Sequence, residues 1–178
     1  GLTKRYLDAG ARVIIGPLVN NAEQAKLLVE ATKYPPDGKR GVGFCRANDY
    51  GKKVNEEFKS ANESLILAVQ IEDIIAVNNI DEILAVKGID VAFIGPYDLS
   101  ASMGITGDFE NPEFVKTKDK VMKACEKNNV KPGIHVVKPD INELLERVSE
   151  GYKFIAYSLD ITMVQNQSVE MLNQIKNA

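Results

Sequence analysis

Cysteine is scarce in this 178-residue chain. Cys45 and Cys125 stand far apart with no CxxC spacing. They read as free thiols in a reducing compartment rather than as a disulfide or a zinc site, and the cytoplasm is the expected location. Long apolar runs are missing too. None approaches the roughly 18–20 residues that span a bilayer, and no signal-peptide pattern opens the chain. Positive charge is not in excess: 22 Lys and Arg face 25 Asp and Glu, for a net charge of -3 and a pI near 5.3. That balance argues against a phosphate-binding face for nucleic acid. Neither nucleic acid nor a membrane is an expected partner. There is no GxGxxG after the first strand pattern and no GxxxxGK[ST], which lowers the prospect of a dinucleotide or P-loop protein. No low-complexity tract and no second domain stand out; residues 1–178 read as a single domain.

What is present is an alternation of strand and helix patterns. The chain opens in a helical spacing, Leu2 to Ala9, stopped by Gly10. VIIGPL (13–18) reads as a strand, and Asn20 or Asn21 caps the helix after it. From Tyr34 to about Asn55 periodicity fails: YPPDGKRGVGFCRANDYGKKVN is a long irregular segment, and such segments are usually functional or mobile. A short helix is expected over 56–61. SLILAVQI (64–71) does not alternate, so it reads as a strand buried on both faces. One or two short helices follow over 74–86, then the strand VAFIG (91–95). A loop with Gly104 and Gly107 leads to a helix over 112–128. GIHVV (133–137) is a strand, Asp140 caps a helix to about Glu150, FIAYSL (154–159) is the last strand and 161–176 the last helix. Continuous apolar strands alternating with helices predict an α/β fold with a parallel sheet. Five such strands fit part of a (β/α)8 TIM barrel, whose full form needs eight strands and about 250 residues. The expected architecture is therefore the C-terminal portion of such a barrel, lacking the first strand–helix units.

In parallel α/β folds the chemistry sits at the C-terminal ends of the strands. Two consecutive strands end in an acid there: Glu72 after AVQI and Asp98 after VAFIGPY. Two strand-end carboxylates offer hard oxygen ligands, which suits Mg²⁺ or Mn²⁺. Either acid alone equally suits a helix cap or a lysine partner. In Gly95-Pro96-Tyr97-Asp98, glycine and proline suggest a tight turn with free amides for a substrate carboxylate; an ordinary turn is the alternative. His135, the only histidine, ends the GIHVV strand, either as a base or as a pocket-wall residue. Arg40 and Arg46 in the long loop suit an anionic second substrate, a solvated loop or a subunit contact. Tyr157 and Asp160 stand near the last strand end, with Asp160 also suited to capping the final helix. Cys45 has no histidine partner that sequence can place.

These residues carry a resemblance. VQIE followed by GIDVAFIGPYDLSASMG resembles the HpcH/HpaI aldolase family, metal-dependent pyruvate aldolases built on a (β/α)8 barrel. GPLVNNAEQA, YPPDGKRGVGFCRANDYG and KPGIHVV agree in order over essentially the whole chain. The resemblance implies a carbon–carbon lyase that forms or cleaves 2-oxo acids through a pyruvate enolate, with an aldehyde as second substrate. It implies that Glu72 and Asp98 ligate Mg²⁺ or Mn²⁺. Gln70 would lie beside the 2-oxo acid, the backbone at Tyr97 and Asp98, after Gly95 and Pro96, would hold its carboxylate, and Gly43 and Phe44 would line the pocket. The metal's role is that of a Lewis acid for charge building on the enolate oxygen.

Two departures from the family pattern stand out. The family's general-base histidine and oxo-group arginine belong to first barrel strands that this sequence does not contain, and Tyr97 stands where many members carry alanine. Three readings follow: a metal-dependent aldolase, a citrate-synthase-like or other lyase on the same metal–enolate scaffold, and a non-catalytic domain that keeps only the metal half of the site. A partial barrel leaves strand edges that invite association, so a homo-oligomer is expected.

Overall fold

The computed structural model describes residues 2–176. Five strands form one sheet: β1 (Val13–Gly16), β2 (Ile66–Ile71), β3 (Val91–Ile94), β4 (Lys131–Val136) and β5 (Phe154–Tyr157). All pair in parallel, and their spatial order is their chain order. A doubly wound sheet reverses its order at a switch point. This one never does, so every crossover helix falls on the same face and the sheet curls as a sector of a (β/α)8 barrel.

Strand alternation divides the core in two. On the outer face Leu67, Val69, Ile71, Ala92, Ile94 and Ile134 pack under the helices. Those helices are chiefly α2 (Ala22–Thr32), α5 (Ile80–Leu84) and α7 (Pro112–Asn128), which contribute Ala25, Val29, Ile83, Phe114 and Val121. On the inner face Ala68, Val91 and Phe93 meet Phe154 and Ala156. The expectation of a strand buried on both sides holds for β2 from Leu67 to Val69, but its start does not follow it, since Ile66 is 39% exposed.

Boundaries follow local chemistry. Helix α1 (Leu2–Asp8) stops at Gly10, whose φ of +105° suits only glycine comfortably. Asn21, not Asn20, caps α2 by accepting from the Gln24 N–H, and Asp140 caps α8 (Ile141–Ser149) by accepting from Asn142 and Glu143. The first strand is shorter than its apolar run, because the chain leaves the extended conformation at Leu18, with φ +53°. Helix α3 (Val54–Ser64) exceeds its expected range at both ends. The expected pair of short helices is α4 (Ile74–Asn78) and α5. The Gly95-Pro96-Tyr97-Asp98 turn is instead the start of a helix, α6 (Pro96–Ser102). Proline at the first helical position has no N–H to waste and a φ already suited to helix.

The irregular segment after Tyr34 is held by side chains. Asn48 is buried; its Oδ1 accepts from the Cys45 and Gly51 N–H groups and its Nδ2 donates to the Gly43 carbonyl. One side chain thus serves the backbone groups that a helix or sheet would otherwise satisfy. Arg40, 5% exposed, bonds Asp8 of α1 and stacks its guanidinium over the Tyr34 ring at 4.3 Å. It is a structural anchor, not a loop arginine open to a second substrate. Helix α9 (Asp160–Lys176) begins at Asp160 and buries none of its residues; Ile161, Val164, Leu172 and Ile175 are all exposed.

Close approach on the inner face demands glycine at 133. A Cβ there would stand 2.9 Å from Val91 Cγ1, 3.0 Å from the Phe154 carbonyl oxygen and 3.1 Å from Phe93 Cδ2. Gly133→Ala is expected to cost about 1–3 kcal/mol by overpacking, read as a lower urea midpoint. An unchanged midpoint would show that the inner face is looser than this geometry.

Candidate active site

The strand register builds the site. Gln70 pairs with Phe93 and Ile71 with Ile94, so Glu72 and Gly95 come level at the C-terminal ends of β2 and β3. The pairing is extended by one more bond, from the Gly95 N–H to the Ile71 carbonyl at 3.2 Å. Residues 68, 70 and 72 share the inner face by strand alternation. Gln70 and Glu72 therefore project into the concave side, where Gln70 Nε2 donates to Glu72 Oε2 at 2.6 Å.

Glu72 is 8% exposed. Its other oxygen, Oε1, accepts from the Leu18 N–H at 2.8 Å. The left-handed backbone at Leu18 turns the chain at the end of β1, and its amide lies within hydrogen-bond reach of the carboxylate. Burial pushes the Glu72 carboxyl above its ordinary range; the Leu18 N–H opposes this, while the charges of Asp98 and then Asp73 add to it. Asp98 stands in the first turn of α6, exposed to solvent. The two predicted ligands are thus brought within reach of each other's charge.

Gly95 supplies the space between them. A Cβ at this position would lie 3.0 Å from Gln70 Nε2 and 3.3 Å from Glu72 Cβ. Beyond it, the Tyr97 and Asp98 amides belong to a helix's first turn, where no preceding helical carbonyl takes them. Pro96 is buried beneath that turn.

The donor set fits a hard divalent cation. Each Glu72 oxygen already accepts one N–H, and a carboxylate has about four lone-pair sites, so acceptor capacity remains. Among the described residues no three His, Cys, Asp or Glu side chains cluster as a metal-holding group. One or two carboxylates, with water and substrate completing the shell, is the usual protein share for Mg²⁺.

Other predicted residues fall into two groups. His135 joins the concave side: its ring lies 6.4 Å from that of Phe93, and Nε2 is 3.4 Å from the Ser158 carbonyl oxygen. The Tyr97 side chain turns to the flank, edge-on to Phe109 with centroids 5.0 Å apart. Gly43 and Phe44 lie in the long irregular segment. Gly43 sits beside Lys4 of α1, and Phe44, 77% exposed, lies against Gly51. The structural elements they meet are α1 and the 3₁₀ segment Arg46–Gly51. Two contributors escaped sequence reading. The Leu18 amide orients Glu72, and no pattern marks a backbone donor 54 positions away. The other is Ser158, whose carbonyl faces His135; among the described residues its buried hydroxyl has no hydrogen-bond partner, and its φ of +56° is rare for serine.

Residues 1–167 match the family described as HpcH/HpaI aldolase/citrate lyase. The chain is 38% identical over 167 residues to the hydroxypyruvate/pyruvate aldolase of Roseobacter denitrificans, covering 93% of this chain and 64% of that protein. It is 39% identical over 171 residues to the 2-keto-3-deoxy-L-rhamnonate aldolase of Klebsiella pneumoniae, covering 95% and 62%. The chain thus spans less than two thirds of the length of these curated relatives. In structure it is similar to an HpcH/HpaI aldolase from Desulfitobacterium hafniense, with a TM-score of 0.89 and 32% identity over 99% of this chain and 68% of that one.

The raised Glu72 carboxyl has a consequence for stability. A carboxyl whose folded-state pKa is raised opposes folding once it must ionise, so the penalty is present above its folded pKa and fades as pH falls toward the ordinary carboxylate range. Glu72→Gln is therefore expected to melt above wild type at neutral pH in a chelating buffer, with the gap closing on acidification. A variant less stable at neutral pH would contradict the assigned balance of burial and like charge.

Proposed function

The chain belongs to the HpcH/HpaI aldolase/citrate lyase family, and from that premise we propose that the protein is a metal-dependent aldolase, a carbon–carbon lyase that makes or breaks a 2-oxo acid. The observation that carries this reading is the pair of carboxylates, Glu72 and Asp98, at the C-terminal ends of adjacent parallel strands and within reach of each other's charge. We assign pyruvate and an aldehyde as the substrate pair, and Mg²⁺ or Mn²⁺ as the ion. Aldolase names among the relatives support the former; the hard oxygen donors support the latter.

Glu72 and Asp98 would hold the ion, which when bound supplies Lewis-acid stabilisation of negative charge developing on the oxygen of a 2-oxo acid. The rest falls to the chain's own groups. Gln70 donates one amide hydrogen to Glu72, and its second hydrogen and its carbonyl remain to orient the substrate. Gly95 leaves the space a Cβ would fill, so a small oxo acid can approach the backbone. The Tyr97 and Asp98 amides, free in the first turn of α6, are donors for its carboxylate. His135 walls the concave side, with Nε2 3.4 Å from the Ser158 carbonyl oxygen.

Two further points belong to this reading. The exposed Ile161, Val164, Leu172 and Ile175 of α9 support a homo-oligomer, since such apolar surface marks association. Two free cysteines support a cytoplasmic site of action. Among the described residues no helix is long and apolar enough to cross a membrane.

Calorimetric titration with Mn²⁺ tests the proposal. Wild type is expected to bind, and Glu72→Gln and Asp98→Asn each to bind more weakly by on the order of tenfold or more. Pyruvate should tighten Mn²⁺ binding, and Mn²⁺ should tighten pyruvate binding by the same factor. An unchanged Kd in either variant, or an absent pyruvate effect, refutes the shared site.

A further inference from the structure

Beside the strand-end site, and sharing Pro96, Tyr97 and His135 with it, a cavity of about 320 Å³ opens between α7, α8 and the loop after α6. That volume falls within the range of small-ligand pockets. Its apolar wall is aromatic: Tyr97 lies edge-on to Phe109, and Phe109 in turn packs on Phe114 with centroids 5.4 Å apart. Its polar wall holds two partly buried cations with different commitments. Arg147, with its side chain 13% exposed, donates to both Glu150 oxygens at 2.7 and 2.6 Å and to Glu146 at 3.3 Å. Lys118, with its side chain 14% exposed, makes only a long ion pair with the same Glu150 carboxylate, at 3.9 Å. That distance is too long for a hydrogen bond.

We infer that this cavity binds a small monocarboxylic acid with a flat apolar body, its carboxylate taken by Lys118 and its ring laid against Tyr97 and Phe109. A partly buried ammonium without a hydrogen-bonded acceptor gains from an incoming anion. Aromatic faces and edges favour a flat ring. Glu110, Glu143 and Glu146 also line the cavity, with Lys138 exposed at its edge, and the three acids would repel a dianion such as phosphate more than a monoanion. The cavity shares Pro96, Tyr97 and His135 with the strand-end site but is lined by neither Gln70 nor Glu72, so this assignment needs no bound metal.

The test is a ¹H–¹⁵N NMR titration of the chain in a chelating buffer, with sodium benzoate, benzyl alcohol and inorganic phosphate as probes. Benzoate is expected to give saturable shifts at the Gly107, Lys118 and Arg147 amides. Benzyl alcohol, which keeps the ring and lacks the charge, should bind more weakly by on the order of tenfold, and phosphate should give no saturable shift there. Lys118→Met should weaken benzoate by a similar factor; the comparison of probes on wild type stands even where that variant fails to fold. Benzoate shifts that fail to saturate or that centre on Gln70 and Glu72, equal affinity for benzyl alcohol, or saturable phosphate binding in the cavity each overturn the assignment.

Discussion

Everything at the strand ends depends on one register. The pairing of Gln70 with Phe93 and Ile71 with Ile94 sets Glu72 level with a residue that has no side chain. A slip of one position would turn Gln70 and Glu72 into the helical layer and bring Leu67, Val69 and Ile71 to the concave side. Burial of those three apolar residues, each at 0% exposure, therefore fixes the carboxylate as firmly as its own hydrogen bonds do. The packing that stabilises the sheet and the chemistry at its rim are set by the same alternation.

The carboxylate also shows a tension between folding and function. Glu72 is drawn out of water, faces two other acids, and is offset by two N–H donors. Nothing among those contacts supplies a positive charge. A folded chain holds such an arrangement only because the surrounding core is large enough to carry its cost. The same logic runs in reverse at Arg40, where a buried guanidinium meets both a carboxylate and an aromatic face, and the result is a well-anchored loop.

Much of this was legible from residues alone, and for identifiable reasons. Parallel strands advertise themselves as apolar runs, and asparagine, aspartate and glycine mark helix ends, so Asn21, Asp140 and Gly10 fell where local chemistry put them. Glu72 and Asp98 were visible because they close such runs. Gly43 and Phe44 were harder to place from residues alone, because a glycine-rich segment carries no periodicity and takes its course from side-chain anchors such as Asn48 and Asp8. Helix α6 was hidden for a related reason: Gly-Pro spells a turn and a helix start equally well, and the buried Leu99 and Ser100 behind it decide between them. The Lys118 cavity was invisible, since its walls come from segments that only the fold brings together.

The strand order has a further consequence. Because each strand lies next to the one that precedes it in sequence, every β–α unit finds its neighbour already made when it emerges during synthesis. Such an arrangement keeps loop closures short and lets the sheet extend from one border, unit upon unit, without waiting for a distant partner.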